Sequence, residues 1–226
     1  MIPRTLSSAA TAVPAVSESI EPATSPALWF VRHGESTWNI AGRCQGHNDE
    51  AELTERGLRQ AAEAAEGFRG RPVRAIYASD LRRARQTAAK FAEVLDLPVR
   101  TDTRLRERLL GVCEGTPLAA MGPDVLGFAG GLVIDADARP AGGESVRELY
   151  LRGAAFCDAL AAGFAEAPPG SATAGDVLIV THGGMLRVLD AYLHGVPADE
   201  MSWRPVGNAT ILRIAEFGSQ PRGENR

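Results

Sequence analysis

Short apolar runs alternate with segments of helical periodicity through most of the chain. The clearest run, DVLIVT at 176–181, is apolar at nearly every position, as in a strand that is buried on both faces of a sheet. The last run, at 208–215, is more polar and predicts a strand at the edge of the sheet. The predicted strands are 27–32, 73–78, 97–101, 176–181 and 208–215.

Apolar residues recur at helical spacing between these runs. In the first such segment, Leu58, Ala61 and Ala65 share one face of a helix. Ser145 and Glu148 have the S-x-x-E spacing of a capping box, which predicts the start of another helix. The predicted helices are 54–68, 81–95, 145–164 and 184–194. Because helices alternate with strands, we predict an α/β fold of three layers (α/β/α) around a mostly parallel central sheet.

Three segments depart from this alternation. Residues 1–26 are rich in Ala, Ser, Thr and Pro and have no periodic apolar face, which predicts a disordered extension. Residues 111–143 are apolar but interrupted by Gly and Pro, so we predict a small cap insertion over one end of the sheet. The folded domain would then span 27–218 and end in a flexible tail at 219–226.

Composition is that of a globular protein and excludes some partners. Of 226 residues, 45% are hydrophobic and 23% are charged, which suffices for one sizeable core. A formal net charge of -4 argues against a broad nucleic-acid-binding face. No apolar run reaches the roughly 20 residues that span a bilayer, so a membrane is not an expected partner either. Nothing in the pattern indicates an oligomeric state.

The cysteines and the N-terminal segment bear on the cellular compartment. Cys44, Cys113 and Cys157 lie far apart and form no CxxC pair. This spacing argues against a disulfide framework or a structural zinc site, and it fits reduced thiols. Pro14 interrupts the only apolar part of the N-terminal segment, which makes a poor signal peptide. We therefore expect a cytoplasmic protein.

Residues suited to phosphate chemistry follow three of the predicted strands. The first strand ends in RHGE at 32–35, and the second is followed by Ser79 and Asp80, with Arg83 just inside the next helix. His182, Gly183 and Gly184 follow the DVLIVT strand. The carboxyl ends of parallel strands meet at one edge of a sheet, where α/β proteins bind their ligands. We therefore expect these groups to lie together.

Each of these residues has an ordinary structural explanation when it is taken alone. A histidine at a strand end more often satisfies a local hydrogen bond, and Arg83 on a helix is usually solvated. Glu107, between Arg106 and Arg108, would usually form a weak surface ion pair. Two imidazoles between two guanidiniums make a poor metal site, because the arginines would repel the ion. The same groups suit phosphate oxygens, to which arginine donates bidentate hydrogen bonds. The combination predicts a phosphate site without a metal.

The same residues belong to six ordered blocks that resemble the histidine phosphatase (phosphoglycerate mutase-like) superfamily. The resemblance covers about 27–215, and the ordered set is far more specific than RHG alone. The blocks are RHGESTWN at 32–39, QG at 45–46 with LTERG at 53–57, SDLRRARQT at 79–87, LRE at 105–107 with EG at 114–115, GGES at 142–145 and THGG at 181–184.

The resemblance implies a role for each matching position and no cofactor. The implied catalytic residues are the nucleophile His33, the general acid and base Glu107, and the phosphate-binding Arg32, Arg83 and His182. The implied substrate-binding residues are Asn39, Gln45, Gly46 and Gly183. Two positions depart from the family pattern: the stretch 49–52 is one residue longer, and Cys113 replaces an aromatic residue that many members carry.

The expected activity is hydrolysis of a small phosphorylated metabolite. Mutases of the resembling family carry a longer basic insertion after the catalytic glutamate, whereas 111–143 is short and offers mainly Arg139. Water would therefore accept the phosphoryl group. Intramolecular transfer of the mutase type remains an alternative, and so does a non-catalytic phosphate-binding or scaffold protein. The identity of the substrate cannot be ranked from the residues.

Overall fold

A computed structural model describes residues 27–165 and 175–214. The predicted extension 1–26 and the predicted tail 219–226 lie outside the described residues. Within the described ranges, no helix is both long and apolar enough to cross a bilayer.

The described residues form seven strands and six α-helices, joined by loops and short 3₁₀ turns. The strands are β1 (Leu28–Arg32), β2 (Val73–Ala78), β3 (Val99–Thr101), β4 (Phe128–Ala129), β5 (Leu132–Val133), β6 (Asp176–Thr181) and β7 (Ile211–Ile214). The helices are α1 (Thr37–Ile40), α2 (Glu55–Glu66), α3 (Arg82–Leu95), α4 (Pro123–Leu126), α5 (Val146–Ala165) and α6 (Gly183–Leu193).

The main sheet has the strand order β3-β2-β6-β1-β7. β1, β2, β3 and β6 run parallel, whereas β7 pairs antiparallel with β1 at the edge. β6 lies between β1 and β2, so the residues that follow these three strands emerge side by side. The predicted mostly parallel sheet with an edge strand at its end is confirmed.

Helices cover both faces of this sheet. Leu28 and Phe30 of β1 point into one core, which they share with residues of α5 and α6. Val31 points to the opposite face, where residues of α2 and α3 complete a second core. β6 alternates in the same way, with Ile179 on the first face and Val180 on the second. Period-two alternation between two apolar faces therefore produces the predicted three-layer α/β/α arrangement.

Most element boundaries agree with the pattern to within two residues, and side-chain caps set several of them. The Thr54 hydroxyl accepts the Gly57 N–H at 2.9 Å and starts α2. Ser145 and Glu148 form the predicted capping box, since each side chain accepts the other's backbone N–H.

Two predicted strands are shorter in the structure. β3 begins only at Val99, because Pro98 has no N–H to donate to the sheet. The strand predicted at 208–215 is described only over Ile211–Ile214. It begins late because Ala209 adopts a left-handed conformation, with φ of 54°, that extended strands do not use.

The 111–143 insertion is part cap and part core. It consists of short 3₁₀ turns, α4 and the β4–β5 hairpin. Val133 and Ala136 are buried in the core under α5 and α6, whereas Leu132 and Ile134 remain more than half exposed. The buried Arg108 fastens the segment, because its guanidinium donates to the carbonyl oxygens of residues 126, 138 and 144.

Candidate active site

His33 follows β1 directly and is almost completely buried. Its Nδ1 lies 2.8 Å from the Gly34 carbonyl oxygen, which can only accept, so Nδ1 carries the ring proton. Burial, followed by the charges of Arg83 and Arg32, holds the pKa of His33 well below its usual range. The ring is therefore neutral at pH 7. Its Nε2 presents a lone pair and forms no hydrogen bond with a described residue.

Close packing of the backbone fixes the turn that holds His33. The Gly34 N–H donates to the Thr87 hydroxyl of α3 at 3.1 Å. A Cβ on Gly34 would lie 2.4 Å from the carbonyl oxygen of Gly57, which is in the first turn of α2. Glycine is therefore required at both 34 and 57, and the turn that carries His33 is anchored to α2 and α3.

Two guanidiniums, one fully buried and one partly buried, act on the imidazole, and backbone carbonyls hold both. Arg32 donates through Nη1 to the Val206 carbonyl oxygen. Arg83 is fully buried and donates to the carbonyl oxygens of Asn48 and Gly46 at 2.9 and 2.8 Å. Desolvation lowers the pKa of Arg83 to about 10, so it still carries its charge at pH 7. In both side chains Nε is buried and has no hydrogen-bond partner among the described residues.

His182 follows β6 and adds a second imidazole to the group. Its ring centroid lies 5.2 Å from that of His33. Its Nε2 lies 2.8 Å from the hydroxyl of Ser79, which follows β2. Burial, and then the charge of Arg83, holds the pKa of His182 well below its usual range. Its Nδ1 is buried without a partner in the described part of the chain, as are the two arginine Nε atoms.

Glu107 lies beside α6 and is fixed by backbone donors. Its Oε1 accepts the Arg108 N–H at 2.8 Å, and its Oε2 accepts the Gly184 N–H at 3.0 Å. A Cβ on Gly184 would lie 2.2 Å from Oε1, so only glycine leaves room for the carboxylate here. The His47 ring and the Arg152 guanidinium hold the Glu107 backbone carbonyl oxygen.

The predicted substrate-binding residues lie around the same group of side chains. Asn39 and Gln45 both contact Ser36, whose backbone N–H and hydroxyl donate to their side-chain oxygens at 3.1 and 2.9 Å. The carbonyl of Gly46 holds Arg83, and the φ of Gly46 is +50°. Gly183 begins α6, where its N–H is one of the first, unpaired N–H groups of the helix.

Two residues at the site have no counterpart among the predictions. The side-chain amide of Asn208 donates to the carbonyl oxygens of His33 and Gly34 at 3.2 and 3.3 Å, which ties the loop before β7 to the histidine turn. The Nη1 of Arg187 in α6 lies 3.4 Å from the Cβ position of Gly183, which is 3.5 Å from Nε of Arg32. Its spacing of four residues from Gly183 places it on the same helix face, and this spacing could have identified it.

The departures from the family pattern are accommodated at the edge of the site. Asp49 accepts the backbone N–H of Arg82 at the start of α3, and so acts as a helix cap. Cys113 lies in a 3₁₀ turn and is partly exposed. Neither residue displaces the group around His33.

The assembled group can bind an anion and attack it. A buried N–H group without a hydrogen-bond partner destabilises the protein unless a ligand accepts its hydrogen bond. In addition, no carboxylate among the described residues neutralises the charges of Arg32 and Arg83 by direct contact. A tetrahedral dianion such as a phosphoryl group supplies both the acceptors and the negative charge. The free lone pair of His33 lies among these donors, as nucleophilic attack on a bound phosphorus requires.

Comparison with known proteins agrees with this geometry. Residues 28–224 match the sequence profile of the histidine phosphatase superfamily (branch 1). A protein of Yersinia pestis (strain Pestoides F) named "probable phosphoglycerate mutase" is 37% identical over 188 residues, which cover 83% of this chain and 83% of that protein.

Solved structures of similar fold include phosphatases. A mycobacterial glucosyl-3-phosphoglycerate phosphatase in complex with VO3 superposes with a TM-score of 0.71 at 35% identity, covering 84% of this chain and 91% of that one. A phosphoserine phosphatase mutant from Entamoeba histolytica in complex with phosphoserine superposes with a TM-score of 0.66 at 26% identity, covering 84% and 90%. The fold is thus the α/β fold of phosphoglycerate mutase-like proteins, and the chain belongs to the histidine phosphatase superfamily.

Proposed function

We propose that the protein is a metal-independent phosphomonoesterase that hydrolyses a small phosphorylated metabolite through a phosphohistidine at His33. The observation that carries this proposal is the neutral His33 ring, whose Nδ1 proton is committed to the Gly34 carbonyl. Its Nε2 lone pair is therefore available for attack at pH 7. The enzyme would work in the cytoplasm and without a cofactor.

In the first step, the phosphoryl group lies among Arg32, Arg83 and His182. Nε2 of His33 attacks phosphorus, and the N–P bond forms as the bond from phosphorus to the ester oxygen breaks. The two arginine Nε groups donate to the phosphoryl oxygens and neutralise their charge. Glu107 in its acid form gives its proton to the leaving oxygen, and the product alcohol departs.

His182 supports the same step through its tautomer. The Ser79 hydroxyl can donate to Nε2 of the neutral ring, which leaves the ring proton on Nδ1. That Nδ1 is the buried nitrogen without a described partner, and it then donates to a phosphoryl oxygen. A positive charge develops on the phosphorylated His33 ring, and the Gly34 carbonyl stabilises it at Nδ1.

In the second step, water replaces the alcohol. The Glu107 carboxylate takes a proton from the water as its oxygen attacks phosphorus, the N–P bond breaks, and phosphate leaves. His33 returns to its neutral form and Glu107 to its acid form. The protons balance over the two steps, because Glu107 gives one and regains one.

Hydrolysis is favoured over mutase-type transfer by the insertion that follows Glu107. A mutase must keep the dephosphorylated product bound until the phosphoryl group returns to it. Charged residues of 111–143 could serve this purpose, but two of them form ion pairs with other parts of the protein. Arg139 forms an ion pair with Glu148 at 2.8 Å, and Asp137 pairs with Arg147. Little remains in this segment to hold a second phosphate, so water gains access.

The test is phosphate release from a panel of phosphomonoesters, with and without EDTA. We expect release from at least one ester, undiminished by EDTA. Incubation with 3-phosphoglycerate, in the presence and absence of 2,3-bisphosphoglycerate, separates the two reactions, since a hydrolase yields free phosphate and a mutase yields 2-phosphoglycerate. Absence of turnover combined with tight binding of phosphate esters would instead support the scaffold alternative.

A further inference from the structure

Glu107 lies in an irregular stretch of chain, 106–110, which follows a 3₁₀ turn. Such a stretch is not fixed by the hydrogen bonds of a helix or a sheet, so side chains must bind its backbone groups. The proposed reaction needs the Glu107 carboxyl group within hydrogen-bond reach of the leaving oxygen, and an error of about 1 Å in such a position is costly. The contacts that hold this stretch therefore bear directly on the proton transfer.

Arg152 of α5 binds three carbonyl oxygens at and before Glu107. Its Nη1 donates to the carbonyl oxygens of Arg104 and Arg106 at 2.7 and 2.9 Å, and its Nη2 donates to that of Glu107 at 3.0 Å. The carboxylate of Glu144 accepts from Nε and Nη2 of Arg152 at 2.9 and 2.8 Å. All five N–H groups of Arg152 are thus engaged by the protein itself, and none is left for a substrate.

Glu144 holds the same stretch at a second point, after Glu107. Its Oε2 also accepts the Leu109 N–H at 3.2 Å, and its backbone N–H donates to the Leu109 carbonyl oxygen at 2.8 Å. The Arg152–Glu144 pair therefore holds the chain on both sides of Glu107. Helix α5, which carries Arg152, packs into the first core, so the pair is attached to a rigid element.

The ion pair is largely buried, with side-chain exposures of 20% for Arg152 and 13% for Glu144. In such a pair the cost of desolvation offsets most of the Coulombic attraction, so apolar residues of similar volume often stabilise a protein as well. Apolar residues cannot, however, supply directed donors and acceptors to an irregular backbone. The specific contribution of the pair is therefore to the geometry of the stretch that carries Glu107.

We propose that the Arg152–Glu144 ion pair positions Glu107 for proton transfer to the leaving oxygen. This inference rests on the proposed function and adds two positioning residues to it. Both act through the backbone that carries the carboxyl group. The phosphoryl-binding side chains are held by other residues. Loss of the pair should therefore weaken acid catalysis and leave the binding of the phosphoryl group intact.

The experiment compares two esters whose leaving oxygens differ in basicity: 4-nitrophenyl phosphate, and glycerol 3-phosphate or the alkyl ester that is hydrolysed fastest in the panel. An alkoxide needs a proton as it leaves, whereas 4-nitrophenolate departs without one. The measured quantity is kcat/KM, which in a two-step transfer includes the phosphorylation of His33 and excludes the later hydrolysis. Arg152→Met should lower kcat/KM by about 10- to 100-fold for the alkyl ester and by less than about 3-fold for the aryl ester.

Three further variants calibrate this result. Glu107→Gln removes the carboxyl group itself and should lower kcat/KM by about 100- to 10,000-fold for the alkyl ester and by much less for the aryl ester. Arg152→Lys keeps a positive charge beside Glu144 but has fewer donors, so it should recover part of the loss. Arg147→Met breaks only exposed ion pairs of the same helix, and it should leave both values within about 3-fold of wild type.

The outcomes separate this inference from the proposed function. If Glu107→Gln distinguishes the two esters but Arg152→Met lowers both values equally, or neither, the inference alone is overturned. If Glu107→Gln lowers both values equally, or the wild-type protein hydrolyses no ester, the proposed function fails and the inference fails with it. Should Arg152→Met not fold, Arg152→Lys must show the selective loss for the alkyl ester, and equal losses in that variant would overturn the inference.

Discussion

Two sets of arginines in this protein differ in what holds them. The paired arginines, Arg104, Arg106, Arg147 and Arg152, each face a carboxylate at 2.5 to 2.8 Å. The site arginines, Arg32, Arg83 and Arg187, donate only to backbone carbonyls. A carboxylate neutralises a guanidinium, whereas a carbonyl orients it and leaves its charge in place. A guanidinium held only by carbonyls destabilises the protein when no ligand is bound, and it favours the binding of an anion.

Arg108 shows that carbonyl partners alone do not make a binding site. It is as deeply buried as the site histidines, and all three of its side-chain nitrogens donate to carbonyl oxygens. Every side-chain nitrogen of Arg108 has a partner, so none is left for a ligand, and Arg108 serves to hold the 111–143 insertion in place. In Arg32 and Arg83, by contrast, the buried Nε has no partner among the described residues. The distinguishing feature is therefore an unsatisfied donor on a charged group.

The largest expected effect comes from removing one site arginine. Arg83→Met keeps the length and apolar stem of the side chain but removes the charge and the free Nε donor. We expect kcat/KM to fall by about 100- to 1000-fold or more, the range seen for loss of a donor to developing charge. Arg147→Met, which breaks only exposed ion pairs, is the matched control and should stay within about 3-fold of wild type. Similar losses in both variants would erase the distinction between the two sets.

A smaller loss is expected from Gly184→Ala. The new methyl group would lie 2.2 Å from Oε1 of Glu107, so the carboxylate must move, which disturbs its hydrogen bond with the Gly184 N–H. We expect kcat to fall by about 10- to 100-fold, because proton transfer to and from Glu107 loses its geometry. Gly163→Ala is the control, since a Cβ on that helix residue contacts nothing. Unchanged kcat in Gly184→Ala would mean that the position of Glu107 is unimportant.

The smallest expected effect concerns stability and pH. The folded protein keeps His33 and His182 neutral, with pKa values well below 6.5, whereas the unfolded chain takes up protons near pH 6.5. The unfolded state therefore gains protons first as the pH falls, and stability is lost below pH 6.5. Between pH 7.5 and 5.5 we expect the free energy of unfolding to drop by about 1.4 kcal/mol for each neutral histidine.

Urea unfolding at these two pH values measures the drop. His33→Gln should remove the contribution of one histidine and leave that of His182. An unfolding free energy that is equal at both pH values would show that the site arginines and burial do not hold the imidazoles neutral.

The sequence predicted those features that follow from local pattern. Apolar alternation in β1 and β6 fixes the two faces of the sheet, and a parallel sheet brings the residues after β1, β2 and β6 to one edge. His33, Arg83 and His182 were therefore expected to meet, and the structure places them together. The resemblance added Glu107, which follows no long strand and reaches the site only because a 3₁₀ turn leads to it.

Features that depend on distant packing were not predicted. Asn208 reaches the His33 turn because the left-handed residue after it redirects the chain into β7. Arg187 is fixed by Trp203 and Phe128, which are far apart in sequence. The insertion was predicted as a cap, and Val133 and Ala136 within it are buried in the core, a division that Gly/Pro-rich sequence does not reveal. Such contacts come from tertiary structure and have no period to detect.

The central claim is that Nε2 of His33 accepts the phosphoryl group, and trapping the intermediate tests it most directly. A phosphate ester labelled in its phosphoryl group is mixed with the protein, and the reaction is quenched in alkali within the first turnover. The labelled residue is then located by peptide mapping. The account predicts acid-labile, alkali-stable label on the peptide that contains His33, and none on that of His33→Ala. Steady release of phosphate by the wild-type protein with no label on His33, or by His33→Ala at a comparable rate, would contradict it.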